Sequence, residues 1–173
     1  MQTISTEYLK LNAKLHETDP EYGCRGGEKW GGIVSDTANS IDAIDILDYG
    51  AGKQSLAKCL AVFDVTSYDP AIRELSVRPS PHNVVACLDV LEHVEPELID
   101  NVLADIQMLM KQVGVLVINT KKAGKVLADG RNAHLLQRDH QWWLTKLMRY
   151  FEIHQFNNFG RDILIIVGKR EEK

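Results

Sequence analysis

The sequence predicts an α/β three-layer sandwich with a mostly parallel sheet. Three observations carry this reading. From residue 44 onward, short apolar runs alternate with stretches of helical periodicity. One run, Val84–Leu88, is apolar at every position, as a strand covered on both faces requires. The last two runs, Phe151–Phe156 and Ile163–Gly168, are separated only by a short segment ending at Asp162. A parallel crossover needs roughly a dozen residues or more, so these two strands must pair antiparallel.

The elements follow in order. Ser5 or Thr6 caps a first helix that carries Tyr8, Leu11 and Leu15 on one face. A glycine-rich loop, Tyr22 to Gly32, comes next, and a helical stretch fills residues 33–40. Ile44–Tyr49 reads as the first strand and Gln54–Leu60 as a helix. Val65–Asp69 is a second strand, stopped by Pro70. Only Ala71–Asn83 separates it from Val84, too little for a further helix, strand and helix, so the sheet is shortened around its third strand. After Val84–Leu88, Pro96 suits a first helical turn. Ile99, Val102, Leu103, Ile106, Leu109 and Met110 then keep the i, i+3, i+4, i+7 rhythm until Gly114. Val115–Asn119 is the next strand, and Asp139 caps a helix through Tyr150.

The 173 residues fit a single domain, with residues 1–40 as a helical arm plus glycine-rich loop and 41–173 as the core. A hydrophobic share of 45% can fill that core without disulfides or metals. The net charge of −4 gives no overall signal for a polyanion, so nucleic acid is not an expected partner. Cys24, Cys59 and Cys87 are odd in number and scattered, which suits a reducing compartment. The polar start and the absence of a long apolar run point to a cytoplasmic protein without a membrane partner. Nothing in the sequence speaks to oligomeric state.

The first strand runs into Asp48-Tyr49-Gly50-Ala51-Gly52-Lys53. Glycine permits positive φ in such a turn and lets a ligand approach the backbone. A helix starting at Lys53–Gln54 would present free N–H groups there. Asp69 lies 21 residues after Asp48, where a carboxylate can accept hydrogen bonds from a ribose diol. A P-loop is rejected, because Gln54 stands where Ser or Thr must follow the lysine and Leu47 where the first glycine belongs. A dinucleotide fingerprint fits imperfectly, with Ser55 in its third glycine place.

Taken together, Ile46-Leu47-Asp48-Tyr49-Gly50-Ala51-Gly52, Tyr68-Asp69-Pro70 and the segment Val84 to Val94, which contains Leu91-Glu92-His93, resemble three successive motifs of class I S-adenosylmethionine (SAM)-dependent methyltransferases. Short bacterial and phage members of unknown substrate look most similar. The resemblance spans residues 44–169 and implies a Rossmann-like fold with SAM as cofactor. It places Asp48 near the amino-acid end of SAM, Gly50 and Gly52 along the cofactor, and Asp69 at the ribose. Leu88 and Asp89 would line the cofactor beside the transferred methyl. Two departures stand out: Gln54 replaces the third glycine of the first motif, and the third strand is abbreviated or missing.

The acceptor side is read from a long irregular stretch, Lys121–Gln141, which follows a strand end and should overhang the crevice. Its Lys121, Lys122, Lys125, Arg131 and Arg138 suit an anionic small-molecule acceptor. His93, His134 and Arg131 are the candidate catalytic residues, the histidines as bases and the guanidinium as an orienting fork. Glu92 reads as a charge at the front of the following helix. Trp30 reads as a lid over the cofactor. His134 and His140 lack ligand-spaced partners, so no metal is expected. A DNA amino-methylase is disfavoured, because Leu88-Asp89-Val90-Leu91 stands where that group carries its Pro-Pro-aromatic segment. The rival reading is a non-catalytic SAM-binding or partner subunit on a degenerate methyltransferase fold.

Overall fold

In the computed structural model, which describes residues 1–170, Ser5 accepts the Tyr8 amide at 3.1 Å and so starts helix α1 (Thr6–Thr18). Helix α2 (Gly26–Ser40) begins inside the segment expected to be a glycine-rich loop. Its glycines serve packing. A Cβ on Gly27 would lie 2.1 Å from the backbone nitrogen of Leu56, so only glycine lets α2 lie against helix α3 (Ser55–Cys59). The Gly27 amide donates to Ser55 Oγ at 2.9 Å across that contact.

Strands β1 (Asp45–Tyr49), β2 (Asp64–Tyr68), β3 (His82–Leu88), β4 (Met110–Asn119), β5 (Phe151–Asn158) and β6 (Asp162–Lys169) form one six-stranded sheet in the order β2-β1-β3-β4-β6-β5. β2, β1, β3 and β4 are parallel, and β6 runs antiparallel between β4 and β5. The expected reversal at the C-terminal end is present. The link from β2 to β3 holds one short 3-10 turn, Arg73–Leu75, in agreement with a sheet shortened at this point.

Two apolar cores cover the faces. Helices α4 (Ile99–Leu109) and α5 (His140–Leu147) pack with Leu47, Val85 and Leu116 on one side. Helices α2 and α3 pack with Ile46, Val84 and Val115 on the other. Asp139 caps α5 as expected, accepting the Trp142 amide at 2.8 Å. Gly114 does not end a helix. α4 stops at Leu109, and Gly114 lies within the longer β4, where Val167 and Met110 occupy the space a side chain would need. Among the described residues, no helix is long and apolar enough to cross a membrane.

Candidate functional site

β1 has β2 on one side and β3 on the other, so the chain changes direction across the sheet between them. In parallel sheets such a switch point leaves a crevice at the carboxyl ends of the strands. Here the crevice is a cavity of about 510 Å³, reaching from the β1 turn to β6. Its walls come from α1 and the segment after it, the turn after β1, the ends of β2 and β3, and the 121–139 loop. Asp48, Gly50, Gly52, Asp69, Leu88 and Asp89 all line it.

The β1 turn is held by both its neighbours. Gly50 and Gly52 sit at φ 82° and 49°, in the left-handed region. A Cβ on Gly50 would strike Val90, and one on Gly52 would meet the Gly23 carbonyl at 2.6 Å. Asp69 is buried at the end of β2. Its Oδ2 accepts the Gly52 amide at 3.1 Å and its Oδ1 the Ala71 amide at 3.0 Å, while His16 Nε2 lies 3.9 Å from Oδ2. Burial pushes the Asp48 carboxyl up to about 7, with help from the nearby Asp69 charge. Burial likewise raises Asp89 to about 6, Asp162 adding to the shift and Lys29 opposing it. Asp89 adopts φ 57°, a strained backbone position at the end of β3.

The expected free amides at Lys53 and Gln54 are taken. Lys53 N donates to Gly23 O at 2.9 Å and Gln54 N to Ala51 O at 2.8 Å. Gln54 itself is left-handed, at φ 58°, so the helix begins only at Ser55. The arm therefore packs directly on the glycine turn, through Gly23 and through Lys53 Nζ, which donates to His16 O at 2.6 Å.

On the acceptor side, His93 and His134 line the cavity. His93 Nδ1 donates to Ala133 O at 2.9 Å and lies 3.3 Å from the Tyr22 hydroxyl. Burial, and then the neighbouring His134, lowers its basicity to about 3, so the ring is neutral at physiological pH. His134 Nδ1 donates to Lys121 O at 2.6 Å, and burial lowers this group as well. Glu92, read from sequence as a helix-front charge, is completely buried in a 3-10 turn, Leu91–His93. Its Oε1 accepts the Asn119 amide at 3.0 Å, and burial holds its carboxyl well above the usual range.

Other expectations fail on geometry. Arg131 lies exposed and outside the cavity, with its Nε donating to Asp129 at 2.7 Å. Lys121, Lys122 and Arg138 do not line the cavity either, and Lys125 does so already paired with Asp19. Trp30 is no lid: it faces the α2 core and packs against Phe159. The 121–139 loop does overhang the site, because Leu127 and Ala133 pack on Tyr8 of α1. Sequence reasoning missed Tyr8, Asn12, His16 and Tyr22, which the arm contributes to the cavity. No local pattern in α1 or in the segment after it marks them.

No family model matches the chain, and no curated protein matches it. Solved structures do. The 1,6-didemethyltoxoflavin-N1-methyltransferase of Burkholderia thailandensis, bound to 1,6-didemethyltoxoflavin and S-adenosylhomocysteine, aligns with a TM-score of 0.68 at 14% identity. The alignment covers 99% of this chain and 92% of that one. The magnesium protoporphyrin IX methyltransferase of Synechocystis PCC 6803, with bound S-adenosylhomocysteine, gives 0.61 at 13% identity over 98% and 90%. The PH0226 protein of Pyrococcus horikoshii OT3 gives 0.64 at 14% identity over 91% and 99%. With its sheet order, its reversed β6 and its cavity at the β1–β3 switch point, the chain has the Rossmann-like fold of the class I methyltransferases.

Proposed function

We propose that this protein is a SAM-dependent methyltransferase with a small-molecule acceptor. The observation that carries the reading is the cavity itself. Five buried polar atoms along its walls have no hydrogen-bond partner among the described residues: Tyr8 Oη, Asn12 Oδ1, His16 Nδ1, Asp89 Oδ1 and Glu92 Oε2. Buried polar groups are rarely left unpaired, so such a wall is built for a polar ligand. The carboxylates of Asp48, Asp69 and Asp89 make it electronegative, which suits a ligand carrying sulfonium and ammonium charges.

SAM, when bound, supplies a methyl group on a positively charged sulfur. The acceptor's lone pair forms the new bond as the carbon–sulfur bond breaks, and the electron pair returns to sulfur. The chain's own work is orientation and exclusion of water, which accounts for much of the acceleration in such reactions. Asp69 accepts from the ribose diol with lone pairs left over from its two backbone bonds. Asp48 faces the cationic end. Leu88 and Asp89 flank the transferred methyl, and His93 and His134 bound the acceptor's space.

The test is calorimetry followed by turnover. S-adenosylhomocysteine and SAM should bind, with NAD and ATP far weaker. NAD binding as tightly would overturn the assignment. Labelled SAM with a metabolite extract should then yield labelled product. Binding without any transfer would favour a non-catalytic SAM-binding subunit.

A further inference from the structure

We propose that Glu92, His93 and His134 form a site for one divalent transition-metal cation in the wall of the cavity. One ligand atom from each of the three lies within 4.8 Å of the other two. The Glu92 Oε1 to His134 Nε2 distance is 4.0 Å. Ligands about 2.0–2.2 Å from a tetrahedral ion stand roughly 3.3–3.6 Å apart, so binding calls for a contraction of about 0.5 Å between Glu92 and His134 and of at most about 1.5 Å elsewhere in the cluster.

Hydrogen bonding has prepared both imidazoles. A carbonyl oxygen can only accept, so His93 Nδ1, 2.9 Å from Ala133 O, carries the ring proton. The same holds for His134 Nδ1, 2.6 Å from Lys121 O. Each Nε2 is left with a lone pair. Metal-binding histidines are commonly fixed in this way, with the other ring nitrogen donating to a backbone carbonyl. A neutral Nε2 cannot donate to Glu92, so no His–Glu hydrogen bond explains the cluster.

Glu92 supplies the independent observation. It is fully buried; Oε1 is oriented by the Asn119 amide at 3.0 Å, and Oε2 has no partner among the described residues. Leaving such an oxygen unpaired is costly. A cation bridging Glu92 to two neutral imidazoles resolves that cost. The donor set is two nitrogens and one carboxylate, which suits zinc, cobalt or iron better than magnesium or calcium. Three protein ligands leave a coordination position open toward the cavity.

A consequence for the acceptor rests on the methyltransferase reading. A dication held by one carboxylate and two neutral rings keeps one net positive charge at this point of the cavity wall. That is where an oxygen acceptor such as a phenol, enol or hydroxy acid would be held. Its proton is lost to water, and the oxygen then takes the methyl as sulfur recovers its electron pair.

The experiment titrates chelator-stripped protein with cobalt(II) and follows visible absorption, with zinc as competitor. One equivalent per chain should produce ligand-field bands that zinc abolishes. His134→Ala and Glu92→Gln should each weaken cobalt binding at least tenfold, circular dichroism confirming that they fold. Glu92→Gln keeps the side chain's shape and its bond to Asn119. His140→Ala and His154→Ala should bind as the wild type does. Absence of a saturating one-equivalent signal overturns the proposal, and so does a signal that survives in the Glu92→Gln, His134→Ala double variant. S-adenosylhomocysteine is titrated into the stripped protein in parallel. Cobalt binding without S-adenosylhomocysteine binding would overturn the methyltransferase reading and leave the metal site standing.

Discussion

Asp69 accepts the backbone N–H of Gly52 at 3.1 Å, so the carboxylate that ends β2 is tied directly to the turn that ends β1. The same residue thus braces the site and, in the proposed function, holds the ribose. Asp69→Ala should therefore act twice. Two buried amides lose their acceptor, at a cost of about 2–4 kcal/mol in stability. S-adenosylhomocysteine affinity should fall tenfold or more in the fraction that stays folded. Urea denaturation and calorimetry read the two effects separately. Unchanged affinity in the folded variant would show that the ribose is held elsewhere.

Gly27 and Gly32 lie in the same helix and predict opposite outcomes. A Cβ at Gly27 meets the α3 backbone at 2.1 Å, which cannot yield as a side chain would. Gly27→Ala should cost about 3 kcal/mol, or roughly 6–12 °C in Tm. At Gly32 nothing lies within 4 Å of the added carbon. Gly32→Ala should be neutral or stabilise by up to about 1 kcal/mol, the ordinary gain in helix propensity. Thermal melts of the two variants settle the comparison.

The Asp48 carboxyl titrates near 7 in the fold, against about 4 in an unfolded chain. The folded state therefore holds this proton more tightly. The stabilisation is fully present below about pH 4 and is lost as pH rises through 7. Asp48→Asn should flatten that part of the stability profile measured by urea between pH 5 and pH 7.5. A cationic ligand favours the ionised carboxyl, so SAM should bind the wild type more tightly across the same rise in pH. A pH-independent affinity would mean that Asp48 does not face the charge.

The ion pair of Lys125 with Asp19 joins the 121–139 loop to the segment after α1. Both partners are partly solvated, so the pair should contribute little to global stability. Its effect should be on closure. Lys125→Ala should speed hydrogen exchange in residues 19–25 and 121–135 and raise the dissociation rate of S-adenosylhomocysteine severalfold, with little change in Tm. High salt should bring the wild type toward the variant.

The parts of this molecule legible in the sequence are those whose reason is local. Asp48, Gly50 and Gly52 stand within five residues, and the demands of a strand-end turn fix their types. The antiparallel β5–β6 pair follows from a short connection. Asp69 was readable because one strand and one helix give it a set distance from Asp48. Glu92 and His134 were not, since they stand 42 positions apart across helix, strand and loop and only the fold makes them neighbours. The glycines of α2 misled for a related reason. Read locally they break a helix, whereas the close approach of α3 in space makes them necessary.

The cavity draws its walls from Thr3 through Asp162. Its tethers span the chain: Ser5 to Glu95, Asp19 to Lys125, Lys29 to Asp162. Such contacts close long loops, and long loop closures come late in folding. Residues 1–25 dock on the β1 turn, on residues 93–101 and on the 121–139 loop, so their docking surface is complete only when these distant segments have come together. A ligand that recognises only the finished cavity then stabilises the whole chain by mass action. Cellular levels of this protein should accordingly follow the supply of its ligand, since the unliganded chain spends longer with its arm undocked and open to proteases.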